Sequence, residues 1–146
     1  GCVFNALWQS YPSGLEAKVL KGSIYLAADR GATDSRHRDS PALYLRDFLH
    51  KFKTLNCTAP ILLMRPEVSL ELDTKEDFEV IRSVLEAVYP TNHHFRTKDI
   101  LQFLDAHPDI RDSNKDVPRR WKEDLRGRAT PLRVLPNRWN ANSETV

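Results

Sequence analysis

The chain has 146 residues, 40% of them hydrophobic and 29% charged, with five Gly, nine Pro and a net charge of +2. That length fits one domain, and the composition excludes collagen, a low-complexity polymer and a wholly disordered chain. No apolar run approaches the ~18 residues that span a bilayer, and Gly1 to Ser10 lacks the basic flank of a signal peptide, so a cytoplasmic location without a membrane partner is expected.

The first residue is Gly rather than Met, and the expectation is a processed piece or a fragment of a longer protein. Cys2 and Cys57 make no disulfide framework. They read as two reduced thiols or as one bridge, and no thiolate metal spacing exists. Charge is uneven. Residues 111–146 hold nine Lys or Arg against five acids, a balance of +4 that leaves −2 for residues 1–110. A mildly acidic body therefore carries a basic end.

In chain order, Pro12, Ser13 and Gly14 supply turn chemistry. Leu15 to Leu20 alternates apolar and polar positions, which predicts a strand. Lys21 to Arg30 predicts a helix with Ile24, Ala27 and Ala28 on one side. Residues 31–40 are polar and read as a loop. Leu45, Phe48, Leu49 and Phe52 recur at helical spacing, with Ser40 as N-cap, Pro41 at the first helical position and an end near Lys53. Asn56 to Pro60 is a turn. Ile61 to Met64, bounded by Pro60 and Pro66, reads as a strand buried on both faces. Val68, Leu70 and Leu72 predict a second strand.

The segment KEDFEVIRSVLEAVYP, residues 75–90, is the clearest helix, with Phe78, Ile81, Val84, Leu85 and Val88 as its apolar stripe. Thr74 with Asp77 three residues on resembles a capping box, and Pro90 stops the helix. Thr97 is expected to cap a short helix carrying Ile100, Leu101, Phe103 and Leu104, ended by Pro108. The division is a body at 1–112 and a basic, partly disordered extension at 113–146. The alternation of elements is α/β, with too few strands for a complete sheet. Half a sheet leaves an open edge and an uncovered face, so the isolated chain is expected to dimerise, aggregate or pack loosely.

The junction after the predicted strand at 68–72 is the strongest local feature. Asp73 lies where a strand ends and a helix begins, and ligands gather at such ends in open α/β sheets. A carboxylate there suits Mg²⁺, which takes oxygen ligands and often shares them with substrate phosphates. The alternative is that Asp73 or Thr74 caps the helix; the two roles are compatible.

The segment LELDTKEDFEVIRSVLEAVYP, followed by TKDILQFLDAHPDI, resembles the C-terminal part of the cytidylyltransferases named for spore coat polysaccharide biosynthesis. These are relatives of the acylneuraminate and 3-deoxy-manno-octulosonate cytidylyltransferases. The stretch NALWQSYPSGLEAKVL resembles a second element of that family, and the two together cover about residues 3–114. The resemblance implies part of a Rossmann-like nucleotide-diphospho-sugar transferase sheet with flanking helices. It implies transfer of CMP from CTP to an acidic or related sugar, with release of pyrophosphate and Mg²⁺ offsetting charge at the α-phosphorus. By the same resemblance Asp73 is a metal ligand, and Tyr11, Gly14, Glu16 and Arg38 lie on the substrate side. A homodimer is also implied.

The sequence departs from the family pattern in several places. The Gly-, Arg- and Lys-rich nucleotide loop and the mid-chain metal Asp are absent. Glu16 stands where the family usually has Asp, Lys18 where it has an acid, and Lys75 where it has Pro. In RHRDSPALYL the family His is missing, although Arg38, Asp39 and Tyr44 remain. No CTP turnover by the 146 residues alone is therefore expected. The alternative function is a non-catalytic interaction or dimerisation module.

Other constellations are weaker. His93, His94 and His107 fit solvated histidines better than a transition-metal site. Arg36, His37 and Arg38 read as a solvated loop, or as contacts to phosphate or a sugar carboxylate. Arg119, Arg120, Trp121 and Lys122 place an aromatic among cations, as single-strand binders do. Glu123 and Asp124 follow at once, and a pI of 8.6 falls short of the basic signature of nucleic-acid binders, so nucleic acid is not an expected partner.

Overall fold

A computed structural model describes residues 1–119. Its order is β1 (Cys2–Phe4), β2 (Lys18–Leu20), α1 (Gly22–Gly31), α2 (Ser35–Asp39), α3 (Pro41–Asp47), β3 (Thr54–Asn56), α4 (Lys75–Val88), α5 (Thr97–Ala106) and α6 (Pro108–Asp112). Two single 3₁₀ turns interrupt it at Leu49–Lys51 and Ile61–Leu63. The sheet has three strands in the order β2-β1-β3. β1 pairs antiparallel with β2 and parallel with β3.

Two apolar clusters organise these elements. In the first, Cys2 and Phe4 of β1 pack with Ala28 of α1 and with Tyr44 and Leu45 of α3. Aromatic edges tighten it: the Tyr44 and Phe48 ring centroids lie 4.6 Å apart. Gly31 is required here, because a Cβ on it would stand 2.2 Å from the Tyr44 hydroxyl. The second cluster joins Val80 and Val84 of α4 to Leu101 and Leu104 of α5, closed by Val68 and Leu70.

Several elements differ from the sequence reading. The polar stretch expected as a loop contains α2, because Asp34 caps it by accepting from the Arg36 amide at 2.9 Å. The helix expected to reach Lys53 leaves α-geometry after Asp47 and finishes as the Leu49–Lys51 turn. The Ser40 side chain makes no cap hydrogen bond. Pro108 does not merely end α5; it opens α6 at the first helical position, where its missing N–H costs nothing.

The run Ile61–Met64 is not a buried strand. It is a 3₁₀ turn in which Leu62 is 84% exposed and Leu63 alone of the turn's residues reaches the core. The two flanking prolines each remove a ladder donor, and the turn closes locally through Leu63 N–H to Pro60 O at 2.8 Å.

The second expected strand, 68–72, is an extended segment outside the three-stranded sheet. It forms one bridge, Ser13 to Ser69, through Ser13 N–H to Val68 O at 3.0 Å and Leu70 N–H to Ser13 O at 2.7 Å. The turn chemistry limits it to that. Gly14 adopts φ +95°, and a Cβ there would stand 2.3 Å from Leu70 O, so the chain turns away after a single rung.

On α4 the buried row is Asp77, Val80 and Val84. Phe78 and Leu85, expected inside, are about half exposed. Ile81, Val84 and Val88 of the expected stripe do pack on the core, and the buried acid Asp77 has its partners in the site.

Candidate functional site

A hollow of about 290 Å³ lies between β2, α3 and the segment that leads into α4. Glu16 and Lys18 reach it from β2 and its approach, Arg46 from α3, and Glu71 and Asp73 from the segment before α4, with Gln9 on its rim. Three carboxylates and two cations thus face one space. A smaller recess of about 90 Å³, bounded by Phe4, Leu7, Ala42 and Leu43, shares Lys18 and Arg46 with it and offers an apolar wall.

The charged walls are held locally. Glu16 accepts from the Gly14 amide at 2.9 Å, and the loop behind it is fastened by Asn5, whose Oδ1 accepts from the Ala17 amide at 2.7 Å. Burial pushes the Arg46 guanidinium down from its ordinary value, and Asp47 and Glu16 counter that effect. Arg46 remains a cation at any physiological pH.

The acidic wall is fixed from beneath. The Asp77 carboxylate is fully buried. Arg119 grips it with two hydrogen bonds, Nη1 to Oδ2 and Nη2 to Oδ1, both 2.6 Å. Asn114 Nδ2 donates to Oδ1 at 2.7 Å. Oδ2 also accepts from the Asp73 amide at 3.1 Å and the Thr74 amide at 3.0 Å. Arg119 further donates to Ser69 Oγ at 3.0 Å and lies 3.4 Å from Glu71.

The Arg119 hydrogen bonds, with those of Asn114, the Asp73 amide and Thr74, hold the Asp77 carboxyl well below the usual carboxylate range against the opposing effect of burial. One buried ion pair thus ties α4 to residues 69–74, the segment that carries Glu71 and Asp73 to the hollow. The capping box is present as expected, with the Thr74 side chain and Asp77 side chain each bonded to the other's backbone amide.

The candidate residues separate into two groups. Glu16 and Asp73 share the hollow. Gly14 acts through its amide on Glu16. Tyr11 is partly buried, its carbonyl accepting from Gln9 Nε2 at 2.8 Å, and is not among the lining residues. Arg38 is exposed on α2, paired with Asp29 at 2.9 Å, and does not line the hollow either. Sequence reasoning missed Arg46 and Glu71 as site residues, and Asn114 and Arg119 as the clamp. The histidines do not converge. His93 packs on Tyr89 and His107 stacks on Phe103, and among the described residues no group of three His, Cys, Asp or Glu side chains is placed to hold a metal ion.

No helix of the described residues is long and apolar enough to cross a membrane. No protein-family model matches the chain, and no curated protein does. The solved structure of a cytidylyltransferase from Leptospira borgpetersenii serovar Hardjo-bovis (strain JB197) superposes with a TM-score of 0.71 over 81% of this chain, at 18% identity. The fold is cytidylyltransferase-like. The chain spans about half the length of that protein, covering 48% of it. The mixed α/β architecture with a small sheet and packed helices agrees with the likeness.

Proposed function

We propose that this chain carries one wall of a cytidylyltransferase site that transfers CMP from CTP to an acidic or related sugar destined for surface polysaccharide. The observation that carries the reading is the meeting of Glu16 and Asp73 across one hollow within this fold. A sugar hydroxyl attacks the α-phosphorus, the bond to the β-phosphate oxygen breaks, and pyrophosphate leaves. Arg46 and Lys18 supply positive charge for the anionic sugar, and Glu16 is placed to accept a hydrogen bond from a sugar hydroxyl.

The donor set fits Mg²⁺ in a restricted way. Asp73 is an exposed carboxylate on the hollow, and its side chain accepts no hydrogen bond among the described residues. Glu16 and Glu71 are engaged by the Gly14 amide and by Arg119. Asp73 would therefore be the protein ligand, the remaining positions falling to water and nucleotide phosphate, an arrangement Mg²⁺ accepts. Bound there, the ion would offset charge that develops on the phosphates.

The test is release of pyrophosphate from CTP with Mg²⁺ and a panel of acidic sugars. The 146 residues alone are expected to show none, and a longer product of the gene bearing a nucleotide-binding loop is expected to show turnover that Asp73→Asn abolishes. Turnover indifferent to Asp73→Asn would refute the reading. A second reading, a non-catalytic interaction or dimerisation module, draws on the exposed apolar side chains of the sheet. Absence of turnover from the longest natural product would favour it.

A further inference from the structure

The small recess beside the hollow is lined unlike the rest of the site. Its walls are apolar, and among the described residues its polar lining consists of Lys18, Ser40 and Arg46. No acid lines it, whereas Glu16, Glu71 and Asp73 all lie on the hollow. The fold brings the three polar groups together from two elements. Lys18 opens β2 directly across from Phe4 of β1. Opposed residues share a face of a sheet, and the Phe4 face is the one that packs against α3. Ser40 precedes α3, and Arg46 lies in its last turn.

Each of the three lacks the partner its chemistry calls for. Among the described residues neither Lys18 nor Arg46 is within ion-pair distance of an acid; Asp47 and Glu16 act on Arg46 at longer range. The one hydrogen bond of the Arg46 guanidinium is a long one, to the Ala6 carbonyl at 3.4 Å. The Ser40 hydroxyl stands at an N-cap and makes no cap hydrogen bond. A half-buried cation without a counter-ion is unfavourable, and here two cations and a free hydroxyl converge on one apolar recess.

We infer that the recess is a phosphate subsite, in which Lys18, Arg46 and Ser40 hold a phosphate monoester carried by the acceptor sugar. The guanidinium fork takes two phosphate oxygens side by side, and the lysine point charge and the serine hydroxyl donate to the third. A phosphate monoester carries between about −1.5 and −2 at pH 7, which the two cations neutralise. A carboxylate carries half that charge, is satisfied by Arg46 alone and leaves Lys18 without a partner. The recess of about 90 Å³ takes the phosphate and the adjoining hollow of about 290 Å³ takes the ring. The phosphate is a handle, and the reacting oxygen remains a sugar hydroxyl. The inference deepens the function proposed above and rests on it for the hollow as the acceptor's place.

The test titrates the ¹⁵N-labelled 146-residue chain with glucose 6-phosphate and with glucuronate, two sugars that differ in the acid at one carbon. Glucose 6-phosphate is expected to shift the Lys18 and Ser40 amides and the Arg46 Nε–H, and to bind roughly tenfold tighter than glucuronate. No histidine lines either cavity. The preference should therefore follow the ligand's own proton, with a second pKa of about 6, and shrink to about threefold at about pH 5.5. Lys18→Gln should weaken glucose 6-phosphate roughly tenfold and Ser40→Ala about threefold, with the melting temperature unchanged and glucuronate binding little affected. Four results would overturn the inference: no binding of glucose 6-phosphate; glucuronate bound as tightly; binding indifferent to both substitutions; or CTP alone shifting the same three signals and resisting displacement, which would give these cations to the nucleotide. The titration with the two sugars needs neither CTP nor Mg²⁺, so its failure is distinct from turnover that ignores Asp73→Asn.

Discussion

Replacing Arg119 with Met tests the clamp beneath the site. Arg119 is 6% exposed and Asp77 fully buried, so the substitution leaves a carboxylate in the interior without its cation. Breaking a buried pair from one side costs about 3–5 kcal/mol. For a domain of this size that lowers Tm by roughly 10–20 °C. The pH dependence changes as well. Asp77 titrates lower in the folded chain than in the unfolded one. Its contribution to stability is thus fully present above the ordinary unfolded value of ~3.9 and is lost as pH falls below that toward the folded value. Arg119→Met should flatten the acid limb of Tm against pH between about 5 and 2. Differential scanning calorimetry at several pH values reads both effects. A variant melting within about 2 °C of the wild type, with an unchanged acid limb, would refute the reasoning.

Other substitutions separate roles that the sequence left joined. Thr74→Ala removes the cap and should cost about 0.5–2 kcal/mol in urea unfolding, whereas Asp73→Asn should cost less than about 0.5; the reverse order would return Asp73 to a capping role. Gly14→Ala forces a side chain into φ +95° and onto Leu70 O at 2.3 Å, and a loss of about 1–3 kcal/mol is expected; a neutral result would contradict the turn geometry. Leu62→Ser should change stability by less than about 0.5 kcal/mol because Leu62 is 84% exposed, and a large loss would restore the buried strand.

What could be read from the sequence was what repeats locally. The helices α1, α4 and α5 follow from apolar spacing, and Thr74–Asp77 from the capping pattern. The strands β1 and β3 have three residues each, too few for alternation to register. Ile61–Met64 carried the composition of a buried strand, but among the described residues no strand pairs with it. Glu16 and Asp73 reach one hollow through the Ser13–Ser69 bridge, a long-range contact without a local signature. The clamp joins residues 42 positions apart. One trace of it was visible: Asp77 lies in line with Val80 and Val84, and an acid in a core-facing row needs a buried partner.

In the function proposed above, Asp73 holds a cation beside nucleotide phosphate in the hollow it shares with Glu16. Paramagnetic relaxation in the ¹⁵N-labelled chain with Mn²⁺ and CTP measures this directly. Selective broadening of amides at Gly14, Glu16 and Asp73, abolished by Asp73→Asn, is the result predicted. Broadening centred on other residues, or unchanged in Asp73→Asn, would contradict it.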